Sequence, residues 1–192
     1  MSRFTTPRAY KNPRLIAEQM LAKSGVPRLG NGVAIDVEKI VTEFCGFELM
    51  HIEGLELGGR PVLGLFAHNL NAVLVENSCY DARKRFTIAH ELGHAQLEYD
   101  QGNAASLFDL DEPEVFGCTE EDEDLDTMNE LRAGLRRRKE IRANKFAANL
   151  LMPEGLVKEV WRQEHGNIDS VSGILFVSKE ALGYRLQDLS LS

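Results

Sequence analysis

The chain has 192 residues, of which 43% are apolar and 27% charged, and its formal net charge is −8. That length accommodates one ordinary hydrophobic core and excludes two full-sized domains, while the composition excludes a disordered chain. The acidic balance excludes a protein that coats nucleic acid or anionic lipid through a basic surface, and no apolar run approaches the roughly 20 residues of a membrane helix.

Residues 1–12 carry Arg3, Arg8 and Lys11 but no apolar run suited to a signal peptide, and read as a flexible arm. Leu15, Ile16, Met20 and Leu21 then recur at helical spacing between Pro13 and Gly25. Val37, Ile40, Val41 and Phe44 repeat that pattern between Asp36 and Gly46, which predicts a second helix. Short apolar runs bounded by Gly and Asn predict strands over 47–52, 61–67 and 72–75, a small, mostly antiparallel sheet.

From Asp81 the spacing is helical again, with Phe86, His90, His94 and Leu97 near one face and Ile88, Leu92 and Ala95 as an apolar flank. Residues 109–126 then hold ten acidic residues and no basic one, and Arg132, Arg136, Arg137, Arg138, Lys139 and Arg142 follow. This charge reversal reads as a solvated loop followed by the exposed face of a helix, with a mobile lid over a cleft as the sharper alternative. A helix is predicted from about Lys139 to Met152, stopped by Pro153, with Ala143, Phe146, Ala147, Leu150 and Leu151 as its buried stripe.

Val157, Val160 and Trp161 pack a short helix, and residues 168–189 read as a helical hairpin broken at Phe176-Val177-Ser178, with Ser178 as N-cap. Leu182, Leu186 and Leu189 face inward. Lys179 and Arg185 are offset by Glu180 and Asp188, which favours packing on the core over a nucleic-acid recognition helix. Cys45, Cys79 and Cys118 are odd in number and form no CxxC pair, so a reducing, cytoplasmic setting is expected, with Cys45 on the core side of its helix.

His90-Glu91-Leu92-Gly93-His94 is the stretch that carries chemistry. On a helix, residues i and i+4 share a face, so both imidazoles can reach one cation while Glu91, about 100° round, is left to act on water. A catalytic zinc site takes a third protein ligand and keeps one position for water. Glu140 is the candidate, because it lies at the inner edge of the next predicted helix and Asn144, one turn on, could hydrogen-bond a ligand histidine. Asp100, the acidic loop and His165 are rivals without those two features. Manganese or iron could occupy the same set of two histidines and one carboxylate. His51 and His68 stand alone and receive no role, and Tyr99 is one of several residues that could stabilise an oxyanion.

Phe86-Thr87-Ile88-Ala89-His90-Glu91-Leu92-Gly93-His94 and Glu140-x-x-Ala143-Asn144-x-Phe146-Ala147-Ala148-x-Leu150-Leu151-Met152-Pro153 resemble the two signatures of the ImmA/IrrE family of bacterial and phage metallopeptidases. Phe176-Val177-Ser178-x-x-Ala181-Leu182-x-x-Arg185-Leu186 extends the resemblance over most of the chain. It implies a gluzincin-like fold with one zinc held by His90, His94 and Glu140. It also implies a regulatory role, in which a transcriptional repressor is cleaved to release a stress or mobile-element programme.

The expected fold is therefore α+β: a zincin-like metallopeptidase domain over 13–165, in which the small sheet flanks the active-site helix, and a C-terminal helical hairpin over 166–192 packed on it. The expected activity is hydrolysis of a peptide bond in a helix-turn-helix repressor or an antitoxin, with Glu91 as general base. Direct nucleic-acid or membrane binding is not expected. The alternative is a catalytically silent, zinc-stabilised regulator that binds a repressor or DNA without cutting.

Overall fold

A computed structural model describes residues 11–30, 32–98 and 127–191. Helix α1 (Pro13–Ser24) starts where the Asn12 side chain accepts the Arg14 and Leu15 N–H groups, with Pro13 in the first turn. It ends at Gly25, whose φ of 73° closes the last turn in the left-handed region open to glycine. Helix α2 (Val37–Lys39) is capped by Asp36 and runs on into a π-helical turn, Ile40–Phe44, in which the Cys45 N–H reaches back to Ile40 O. Val37, Ile40 and Val41 are buried, as their spacing predicts, and Cys45 is half-buried beside them.

The sheet comprises β1 (Glu48–Ile52), β4 (Gly64–Ala67) and β5 (Ala72–Glu76) in the order β1-β5-β4. A separate hairpin pairs β2 (Glu56–Leu57) with β3 (Arg60–Pro61). The β4–β5 and β2–β3 pairs are antiparallel, whereas β1 runs parallel to β5 with Met50 opposite Leu74. The single strand predicted over 61–67 is thus divided. The Glu76 carboxylate accepts the Leu55 and Ser78 N–H groups, which ties the start of the Gly58-Gly59 hairpin to the end of β5.

Helix α3 (Asp81–Glu98) lies against β4 and β5 on one side and against α4 (Thr127–Leu151) on the other. Ile88, Ala89 and Leu92 of α3 share a fully buried cluster with Phe146, Ala147 and Leu150 of α4. Gly93 stands at the crossing: a Cβ there would come within 3.1 Å of Phe146 Cδ1 and 3.2 Å of the Ala143 Cα and O. Small residues at 93 and 143 therefore set how closely the two helices approach.

Helix α4 starts twelve residues before the boundary near Lys139 that the buried stripe predicts, and Met128, Leu131 and Leu135, spaced i, i+3, i+7, carry a helical signal there that the arginine run overshadows. Residues 133–138 are all exposed. This is consistent with reading the arginine run as the solvent side of a helix. The acidic stretch, 109–126, lies outside the described residues.

Helices α5 (Glu154–Gln163), α6 (Ile168–Leu175) and α7 (Lys179–Asp188) complete the fold, with the Ser178 side chain capping α7 as the sequence indicates. Val171, Leu175, Leu182 and Leu186 join the same buried cluster as α3 and α4. Two buried arginines fasten this hairpin. Arg185 donates to Met152 O, Asn149 Oδ1 and Asp188 Oδ2, while Arg85 donates to Phe176 O and Ile35 O and lies over the Phe176 ring. Bonds of this kind neutralise the cost of burying a guanidinium and fix α7 relative to α3 and α4.

Candidate metal centre

His90 and His94 project from one face of α3 toward Glu140 on α4. The two Nε2 atoms are 3.0 Å apart, His90 Nε2 is 3.1 Å from Glu140 Oε2, and His94 Nε2 is 3.3 Å from Glu140 Oε1. Among the described residues these three side chains form the one group of His, Cys, Asp or Glu that could hold a metal ion. Two ligand atoms each about 2.0–2.1 Å from a tetrahedral zinc stand about 3.3 Å apart, so the spacing fits a shared cation without rearrangement.

Asn144 supplies a second test of that fit. Its Oδ1 lies 2.8 Å from His90 Nδ1, and an amide oxygen only accepts, so Nδ1 keeps its proton; the protonated ring donates from Nε2 to Glu140, and the neutral ring has on Nε2 the lone pair that a metal needs. His90 and His94 are buried, at 6% and 3% exposure, so the donors are set by packing rather than by solvent. Burial opposes a charged Glu140, yet hydrogen bonds from His90 and His94 hold it well below the usual carboxylate range. Burial likewise opposes a charged His90, and the hydrogen bond to Glu140 with the fields of Glu91 and Glu140 raises it all the same.

Glu91 does not join the cluster. It turns toward β4, where Oε2 accepts the Phe66 N–H at 3.1 Å, and burial pushes its carboxyl up to about 7. It lines a cleft of about 860 Å³ walled by β4, α3, α4, α7 and the start of α1, with Phe86, Asn144, Ala148, Ala181 and Tyr184 among its lining. A cleft of this size lies in the ordinary range of ligand-binding sites.

Of the residues singled out from the helical spacing, His90, His94 and Glu140 converge with Asn144 bonded to His90, while Glu91 stands beside them against β4. His51 is exposed on β1, His68 packs edge-on against Phe66, and His165 donates from Nδ1 to Gln163 O at the end of α5, so none of them belongs to it. Tyr99 and Asp100 lie outside the described residues. Two contributors were not legible in the sequence. The Phe66 backbone N–H leaves no residue signal, and the α7 wall presents Tyr184, 67% exposed, from a helix read only as packing. Burial pushes the Cys45 thiol up to about 11, as its core-side placement implies.

Residues 40–187 match the peptidase family described as the IrrE N-terminal-like domain. A solved structure described as a Mycobacterium tuberculosis transcriptional regulator is similar in fold, with a TM-score of 0.58 and 16% sequence identity over 91% of this chain. The chain spans 46% of the length of that protein. No curated protein matches the sequence.

Proposed function

From the premise that the chain belongs to the peptidase family of IrrE N-terminal-like domains, we propose that it is a zinc-dependent endopeptidase that hydrolyses a peptide bond in a regulatory protein. The observation that carries this reading is the convergence of His90, His94 and Glu140 within 4.8 Å, with the His90 tautomer fixed by Asn144. His90 and His94 through Nε2 and Glu140 through its carboxylate would hold the ion. When bound, zinc supplies a Lewis acid for water and for the scissile carbonyl.

Glu91 carries the proton traffic in this reading. A carboxyl whose burial brings it near neutrality can accept a proton from water and return it to the leaving amine, whereas an ordinary carboxylate would hold that proton too weakly. Asn144 keeps His90 oriented. The α7 wall, fastened by Arg185 and Arg85, keeps one side of the cleft in place for the substrate chain. A helix-turn-helix repressor or an antitoxin is the substrate class that the family resemblance favours. Among the described residues, no helix is long and apolar enough to cross a membrane.

The deciding experiment compares wild type with Glu91→Gln for zinc content and for cleavage of a co-expressed candidate repressor. The variant is expected to keep its zinc and lose cleavage. Equal cleavage by both removes Glu91 from the mechanism. Zinc retained by both with cleavage by neither favours a silent regulator.

A further inference from the structure

We propose that Gly64 is the positioning residue for the Glu91 carboxylate: its missing side chain lets β4 lie close enough to α3 for the Phe66 N–H to hold one carboxylate oxygen while the other faces the cleft. The geometric part stands on contacts alone, and its consequence for turnover rests on the reading of Glu91 as the base. An ideal Cβ at residue 64 would stand 2.4 Å from Thr87 Cγ2, 3.1 Å from Glu91 Cγ and 3.2 Å from Glu91 Oε1. Carbon atoms pack best at about 3.5–4.0 Å, so the first of these distances cannot be tolerated.

Two features direct where the strain would go. Thr87 is β-branched and sits on α3, where its χ1 is held to two rotamers, and the contacts with Glu91 Cγ and Oε1 stay tight whichever it adopts. Relief therefore draws on the spacing between strand and helix. Gly64 is absent from the residues with positive φ, so the position demands glycine for space and not for backbone freedom.

Residues 64 and 66 stand two apart on one strand, so their outward N–H groups share an edge of β4, and β5 pairs on the other edge with Gly64 opposite Val75 and Phe66 opposite Val73. Displacing residue 64 from α3 therefore withdraws the Phe66 N–H from Glu91 Oε2. That bond is the hydrogen bond to Glu91 found among the described residues. Without it the carboxylate keeps its burial but loses its orientation.

The test uses the zinc-loaded full chain in three variants, Gly64→Ala, Gly64→Ala with Thr87→Ala, and Glu91→Ala, the last of which leaves the Phe66 N–H no side-chain acceptor. It follows zinc content, the Phe66 amide resonance by NMR, and turnover of an internally quenched peptide library. Gly64→Ala is expected to keep zinc, to move the Phe66 amide toward its position in Glu91→Ala, and to lower kcat between about tenfold and a hundredfold with KM little changed. Removing the Thr87 methyl in the double variant is expected to restore the amide and most of kcat, which a general loss of packing would not do.

An unchanged Phe66 amide in Gly64→Ala, or an amide insensitive to Glu91→Ala, overturns the proposal. If Gly64→Ala fails to fold, the double variant decides: a native Phe66 amide supports the steric account, and a displaced amide or a second failure to fold overturns it. An amide that responds as expected, with wild type turning over no faster than Glu91→Ala, leaves the Gly64 geometry standing and removes Glu91 as the base.

Discussion

The two halves of α4 stand in opposite surroundings, one in solvent and one in the core. Residues 143–151 present Ala143, Phe146, Ala147, Leu150 and Leu151, all fully buried against α3, while residues 133–138 are exposed and include three consecutive arginines. Glu140 lies at the boundary, with its side chain 29% exposed and its oxygens 3.1 and 3.3 Å from the two histidines. The difference teaches that the ligand is aimed by the half of the helix that follows it. A carboxylate needs only a fixed Cα and a short reach, and the buried turn beginning at Ala143 supplies the first.

The comparison breaks most severely at Gly93. In Gly93→Val the added carbons meet the Ala143 backbone, which cannot move aside as a side chain tip could, so α3 and α4 must separate. A stability loss of about 1–3 kcal/mol is expected, with zinc affinity falling alongside it. Chemical denaturation with and without zinc checks this, and a variant that kept wild-type zinc affinity would show that the crossing does not aim Glu140.

A smaller and more local effect is expected for Asn144→Ala, which leaves the buried stripe intact and removes the acceptor of the His90 Nδ1 proton. Zinc affinity should fall by about 10–100-fold, measured by competition with a chromophoric chelator, while the stability of the zinc-free protein changes little. Affinity within twofold of wild type would mean that packing alone orients His90.

The same contrast explains what could be read from the sequence. The buried half of α4 and the whole of α3 announce themselves, because packing on one face imposes a period that His90, His94, Glu140 and Asn144 share with their apolar neighbours. The exposed half carries only Met128, Leu131 and Leu135 at helical spacing, set between the acidic stretch and the arginine run, and its true start at Thr127 was passed over for that charge pattern. The parallel pairing of β1 with β5 was hidden for another reason: it depends on which strands become neighbours across the intervening residues 53–71, and short runs of Leu, Val and Phe do not encode that. Gly64 and the Phe66 N–H were silent as well. One acts by lacking a side chain and the other is backbone, and residue types reveal neither until β4 is seen against α3.

The mildest expected change sharpens the comparison from the other side. Arg136, Arg137 and Arg138 are exposed on α4, one turn or less before Glu140, and replacing all three with Ala removes charge from a helix that keeps its buried anchor. Alanine is the better helix former, and relief of repulsion between neighbouring cations works in the same direction. Against this, the long side chains lose whatever apolar surface their stems cover. These terms are each a few tenths of a kcal/mol, so the triple variant should stay within about 0.5 kcal/mol of wild type and bind zinc equally well. If zinc affinity instead fell as far as in Asn144→Ala, the exposed turns would be helping to aim Glu140, and the division of α4 into an anchor and a solvent-facing extension would have to be abandoned.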